Sequence, residues 1–378
     1  MDALIVGAGV IGLATAWRAL GRGLSVTVVD PAPAGGASHA GAGMITPVSE
    51  LNYGEEALLH LGVASRDRYA KFVAELEELT GVTTDHRADG LLQVAFDADD
   101  LALINDLRRF QEAMGVRAEA LTGRECRRLE PLLAPSVRGG LFAPDDGAVD
   151  PRRLCTALLT AVERTGGTLV RARATDVIVA GDAAAGVRLA DGTELRADQV
   201  VLAAGCWIGE LGGLPPGTVP DIRPVKGQIL RLRTRGPFLS RSTRALVRGS
   251  PVYIVPRSDG EVVVGATQEE LGFDITVTAG GLWELLRDAR ELIPGITELE
   301  FAEVSAGLRP GSPDNSPVLG PAAPHGPAGL HIAGGHFRGG VLLAPITGDI
   351  MGEILATGQV PEVAKPFSPE RFGHAADR

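Results

Sequence analysis

Lysine is nearly missing from this chain. Only Lys71, Lys226 and Lys365 occur among 36 basic residues, so almost all positive charge is arginine, a pattern read here as genome composition. Basic charge is also in deficit overall. The net charge is −11, which argues against nucleic acid as the main partner, because phosphate binding needs a basic face. Cysteine is scarce: Cys126, Cys155 and Cys206 are an odd number without C-x-x-C spacing. That excludes a disulfide framework and fits a reducing compartment. No metal site is expected. His325, His331 and His336 are near in sequence, but they lie in Pro/Gly loops and strand, without helical i, i+4 register or a cysteine partner. No basic leader precedes the apolar run at Ala3, and no apolar run approaches a membrane span. The expectation is a cytoplasmic chain with no membrane or nucleic-acid partner.

What is present begins at once. The 378 residues suggest about two domains and allow a large core. Residues 3–6 (ALIV) form a short apolar run, followed by Gly7-Ala8-Gly9-Val10-Ile11-Gly12. A helical pattern runs from Leu13 to Leu20 and ends at Gly21 and Gly23. The strand SVTVVD then closes at Asp30. This is a complete strand–turn–helix–strand unit carrying a G-x-G-x-x-G fingerprint. Gly7 permits the tight turn, Gly9 lets a pyrophosphate approach, and Gly12 lets helix and strand pack closely. Asp30 can accept hydrogen bonds from an adenosine ribose.

Three later features extend this unit. Gly35–Met44 (GGASHAGAGM) is small and glycine-rich, so it can wrap a further stretch of pyrophosphate and reach toward a ring system. Residues 174–207 read as three strands with turns near Gly181-Asp182 and Asp191-Gly192, ending in VVLAAG where a backbone must approach a ligand. The segments AGLRPGSPDNSPVLG and GGHFRGGVLLAP each set an arginine, Arg309 and Arg338, beside glycine turns. The second segment runs into an apolar helix from near Val341. A glycine loop entering a helix presents free N–H groups to an anion, and two arginines can grip a carboxylate. Arg309, between Gly307-Leu308 and Pro310-Gly311, is expected on a rigid turn. Strands are expected within 86–96 and 251–267, the second with a hairpin at Ser258-Asp259-Gly260. LWELLRDARELI (282–293) is an amphipathic helix stopped by Pro294-Gly295.

The fingerprint, GAGM, VVLAAGCW, VKGQ, YIVPR, VVVGAT, GLRPGSPDNSPVLG and GHFRGGVLLAP together resemble the D-amino-acid oxidase family of FAD proteins, closest to its glycine oxidase branch of the thiamine pathway. The resemblance covers nearly the whole chain. It implies an α/β (α+β overall) fold: a Rossmann-like FAD-binding domain plus a substrate domain with an antiparallel sheet, both discontinuous. The FAD-binding domain would take 1–80, 147–215 and 305–378, and the substrate domain 81–146 and 216–304.

It also implies roles. Arg309 would bind the substrate carboxylate, helped by Tyr253. Arg338 would lie near substrate and flavin, and Met44 would limit substrate size at the flavin face. Gly7, Gly9, Val10, Ile11, Gly12, Asp30, Ala37, Ser38, His39, Ala42, Gly43, Val177 and Gly205 would contact FAD. So would His336, Phe337, Gly339, Gly340, Val341 and Leu342, where a helix N-terminus stabilises charge on reduced flavin.

The chain departs from the branch at three positions. Pro251 stands for an expected histidine and Gln268 for an expected methionine, which bears on side-chain preference. His39 stands for a small hydroxyl residue and raises a covalent flavin link, although relatives with such a link place it one residue later. Non-covalent FAD is therefore expected. The implied reaction is oxidation of glycine or a similar small amino acid by hydride transfer to flavin. An imine forms, then glyoxylate and ammonia, with oxygen reduced to hydrogen peroxide. No general base is evident. A sarcosine or other secondary-amine oxidase, a D-amino-acid dehydrogenase, and a non-enzymatic FAD-binding protein remain as alternatives. A homo-oligomer and an imine hand-off to thiazole synthesis are left open.

Overall fold

The computed structural model describes residues 1–247, 249–322 and 326–373, so His325 lies outside the described residues. The N-terminal unit forms as its pattern demands. Strand Asp2–Val6 leads through the glycine turn into helix Val10–Leu20, and strand Ser25–Val29 returns parallel to the first. Gly7 has φ +109°, and a side chain there would meet the backbone of Ala203. At Gly12 a side chain would strike the carbonyl of Gly7, so only glycine lets this helix seat on the strand.

These strands belong to a six-stranded sheet in the order Val318–Pro321, Leu330–Gly334, Gln199–Leu202, Asp2–Val6, Ser25–Val29, Thr168–Val170. All neighbouring pairs are parallel except the first, which is antiparallel. The segment expected as three strands forms four. Ala174–Ala180, Ala183–Leu189 and Glu194–Arg196 make a separate antiparallel sheet, and Gln199–Leu202 joins the large parallel one.

An eight-stranded sheet stands apart, in the order Glu300–Gly311, Arg223–Arg233, Glu261–Gly265, Ser250–Pro256, Ser242–Val247, Leu91–Ala95, Gly139–Ala143, Glu119–Thr122. It is antiparallel except where Leu91–Ala95 runs parallel to Ser242–Val247. Its apolar face packs against helix Ala279–Leu292, through Leu285, Ala289 and Leu292. Strand Glu300–Gly311 pairs with Arg223–Arg233 along its length and crosses the 304/305 boundary drawn from sequence.

Two sequence expectations change. Arg309 is not on a turn; it lies within strand Glu300–Gly311, opposite Val225. Gly307, Pro310 and Gly311 suggested a turn, yet the strand is at the sheet edge, where a proline lacking N–H is tolerated. The second concerns the C-terminal helix, Gly340–Thr357. Residues Phe337–Thr357 are long and apolar enough to cross a membrane, unlike the expectation of no such run. The helix is apolar all round because both sides are buried. It packs on Val10–Leu20 and on the long helix Glu56–Thr80, and contributes Leu343, Ile346, Ile350 and Met351 to the main core.

Candidate active site

Between the parallel sheet and the eight-stranded sheet lies a cavity of about 700 Å³. Its first end is built by the fingerprint. Gly7, Gly9, Val10, Ile11 and Asp30 line it, with Arg173, Glu210 and Leu211 around them. Asp30 ties the turn together, since Oδ2 accepts from the N–H of Ala8 at 2.7 Å and Oδ1 from that of Ala32 at 2.7 Å. Ser38 Oγ accepts from the N–H of Val10 at 3.0 Å, at the first turn of the helix.

The middle is glycine-rich backbone. Ala37, Ala42, Gly43, Met44 and Gly205 line the wall. Gly43 has φ +75°, and a side chain there would meet the carbonyl of Val149, so the wall can lie flat only with glycine. Helix Gly340–Thr357 points its N-terminus at the same space, where Gly340 and Val341 line the cavity behind His336, Phe337 and Arg338. Phe337 holds φ +47°, an unusual left-handed conformation for a bulky residue. Burial pushes the His336 imidazole down to about 3, so it is neutral, and its Nε2 lies 3.0 Å from Thr347 Oγ1.

The far end carries the charges. Arg309 Nη1 donates to the carbonyls of Thr267, at 3.2 Å, and Lys226, at 3.4 Å. Arg309 makes no ion pair with any described residue. Tyr253 lies beside it, half-buried; desolvation raises the phenol above its ordinary range, and the Arg309 guanidinium opposes that rise. The phenol therefore stays protonated as a donor. Met44 packs near Tyr253 and Ala266. Arg338 pairs with Glu55 at 3.4 Å and lies over the Phe337 ring.

Eighteen of the residues expected from sequence line this one cavity, from Gly7 through Arg309 to Val341. Five do not. Gly12 packs against the backbone of Gly7, and Gly339 against the side chain of Leu343. Val177 sits in the core beneath the three-stranded sheet. Leu342 lends its carbonyl to Ser65. His39 is exposed, and its carbonyl accepts from Arg152 Nε at 3.0 Å.

Sequence reasoning missed Arg244 and Glu50. Both line the far end, 3.7 Å apart. Arg244 Nη1 also donates to Ser49 O at 2.7 Å. Glu50 follows a loop fixed by buried Asp146, which accepts from the N–H groups of Val48 and Ser49 and from Ser49 Oγ. Neither Arg244 nor Glu50 belongs to a local motif. The alternation of Ser242–Val247 was the one available signal. Among the described residues no three His, Cys, Asp or Glu side chains converge on a metal site.

The sequence model of FAD dependent oxidoreductases (DAO) matches residues 2–354. The chain is 35% identical to the bifunctional protein ThiO/ThiG of Synechocystis, over 98% of this chain and 54% of that one. It thus spans about half the length of that relative. It is 32% identical to the glycine oxidase of Geobacillus kaustophilus, over 98% of this chain and 97% of that one. The crystal structure of a glycine oxidase from that organism superposes with a TM-score of 0.90, at 31% identity over 98% of both chains. Iminodiacetate oxidase from Chelativorans superposes with a TM-score of 0.86, at 29% identity over 97% of this chain and 98% of that one.

Proposed function

The chain belongs to the DAO family of FAD-dependent oxidoreductases, and on that premise we propose that it oxidises glycine or a similarly small amino acid or amine. The net reaction takes glycine, oxygen and water to glyoxylate, ammonia and hydrogen peroxide. The cavity suits FAD: Gly7, Gly9, Gly43 and Gly205 present bare backbone along its wall, where a dinucleotide can approach closely, and Asp30 stands at the ribose position of the fingerprint. Gly7, Gly9, Asp30, Ser38, Ala42, Gly43 and the helix end at Gly340 would hold it without a covalent link. FAD, when bound, supplies a two-electron acceptor beside the charged end.

The observation that carries the reading is Arg309. It is a guanidinium in the cavity with two backbone partners and no carboxylate partner among the described residues. A substrate carboxylate completes it, and the Tyr253 hydroxyl donates a second bond. Fixing the carboxylate fixes the Cα–H bond, so positioning is the main protein contribution. Met44, Pro251 and Gln268 bound the remaining space. The neutral amine is the reactive form.

The test is anaerobic bleaching of the bound flavin by glycine, sarcosine and D-alanine, followed by peroxide release in air. No bleaching by any of them, nor by iminodiacetate, would leave only a non-enzymatic FAD protein. A second reading is favoured by Arg244: a substrate with a second charged end, such as iminodiacetate, would meet it. We take the fusion of ThiO with ThiG in a relative as support for imine hand-off to a thiazole-forming partner.

A further inference from the structure

Two buried arginines have no part in the reaction as described, and both reach the same stretch of backbone. Arg257 follows strand Ser250–Pro256 and is 5% exposed. It donates from Nη1 to Val149 O at 2.9 Å and from Nη2 to Ala42 O. Arg231, in strand Arg223–Arg233, is fully buried. It donates from Nη2 to Gly41 O at 3.3 Å and His39 O at 3.4 Å. Neither lines the cavity; both stand behind the wall that Ala42, Gly43 and Met44 present to it. The carbonyls of 39, 41 and 42 are therefore turned away from the cavity, toward the eight-stranded sheet.

The two differ in charge balance. Arg231 is paired with Glu261. Arg257 makes no ion pair with any described residue; the Nε of each arginine lacks a hydrogen-bond partner among the described residues. A buried guanidinium without a counter-ion is costly, and a purely packing role could be filled by an apolar side chain. Burial pulls the Arg257 pKa down, with Arg231 acting the same way, while Asp150, Glu261 and Asp85 act in the other direction. One residue away from a cavity wall, the field of Arg257 is weakly screened.

We propose that Arg257 and Arg231 are positioning residues for the flavin: they hold wall 39–43 by its carbonyls, and Arg257 adds a positive charge with no direct ion-pair partner among the described residues, which favours the reduced, negatively charged ring. The proposal rests on the FAD reading above. It links the substrate sheet to the redox potential, because Arg257 directly follows the strand that carries Tyr253.

The holoprotein, its Arg257→Met and Arg257→Lys variants, and Arg231→Lys test this. Apoprotein is titrated with FAD, and the two-electron midpoint potential and sulfite affinity of bound flavin are measured. Both Arg257 variants should weaken FAD binding by roughly tenfold or more, since each loses the fork that holds two carbonyls. Arg257→Met should also lower the potential by about 30 mV, a tenfold change for a two-electron couple, with a matching loss of sulfite affinity. Arg257→Lys should recover the potential but not the FAD affinity. Unchanged potentials in both variants would overturn the charge role. If Arg257→Met does not fold, the lysine variants decide the clamp, and FAD affinity within twofold of the parent in both would refute it. A parent protein that takes up no FAD would sink the cofactor reading instead.

Discussion

Arg244 and Tyr253 face each other across adjacent antiparallel strands, and both reach the same end of one cavity. Directly opposed residues on one face lie within contact distance. The wall proposed to offer a phenol to a substrate carboxylate thus also offers a second guanidinium. Four expectations follow from this cavity and its supports.

Removing Arg309 should act on substrate capture. Arg309→Ala should raise KM for glycine far more than it lowers kcat, costing about 2–5 kcal/mol in kcat/KM. Tyr253→Phe should cost about 1.5–3 kcal/mol, because one hydrogen bond to a charged carboxylate is lost. Steady-state peroxide production measures both. Unchanged glycine kinetics in Arg309→Ala would refute the assignment.

Arg244 should set a ratio rather than a rate. In Arg244→Gln, turnover of iminodiacetate relative to sarcosine should fall roughly tenfold, the value of one charged contact. Both substrates are secondary amines, so a structural effect of the substitution would move them together. An unaltered ratio disposes of the second reading.

His336 should make stability depend on pH. Its folded pKa, about 3, lies below the unfolded value of 6.5. The contribution is complete above 6.5 and is lost as pH falls toward 3, because the unfolded chain takes up a proton that the folded one refuses. The slope is up to about 1.4 kcal/mol per pH unit. His331, lowered to about 4 by burial, acts in the same direction. Urea midpoints between pH 4 and 7 should show a shallower slope in His336→Gln, and an identical slope would contradict this.

FAD should leave on denaturation. His39 is exposed and outside the cavity lining, while its neighbours Ser38 and Ala40 line it. Acid precipitation should leave the yellow colour in the supernatant. Colour retained in the pellet would show a covalent bond.

What was legible in the sequence was what a local motif can carry. Gly12 has a steric task set inside the motif, against the carbonyl of Gly7, whereas Gly7 and Gly9 face Ala203 and Ser38, which only the fold brings near. Arg309 was legible as a residue but not as a conformation, because glycine and proline around it mimic a turn and the sheet partner Arg223–Arg233 lies over 70 positions earlier. Arg244 and Glu50 were invisible for a similar reason. They meet only because one strand and one loop, far apart in sequence, close on the same space. Arg257 was visible within YIVPR, but its partners Ala42 and Val149 are fixed by tertiary packing alone.

The six strands of the parallel sheet come from three stretches, 2–29, 168–202 and 318–334, and every strand of the other sheet lies between the first and last of these. Any single cut from 30 to 317 therefore leaves the parallel sheet split between both pieces. The parallel sheet thus cannot be inherited, expressed or unfolded as a contiguous half. Proteolysis inside this span should yield fragments that stay associated while native and separate only when the whole molecule melts.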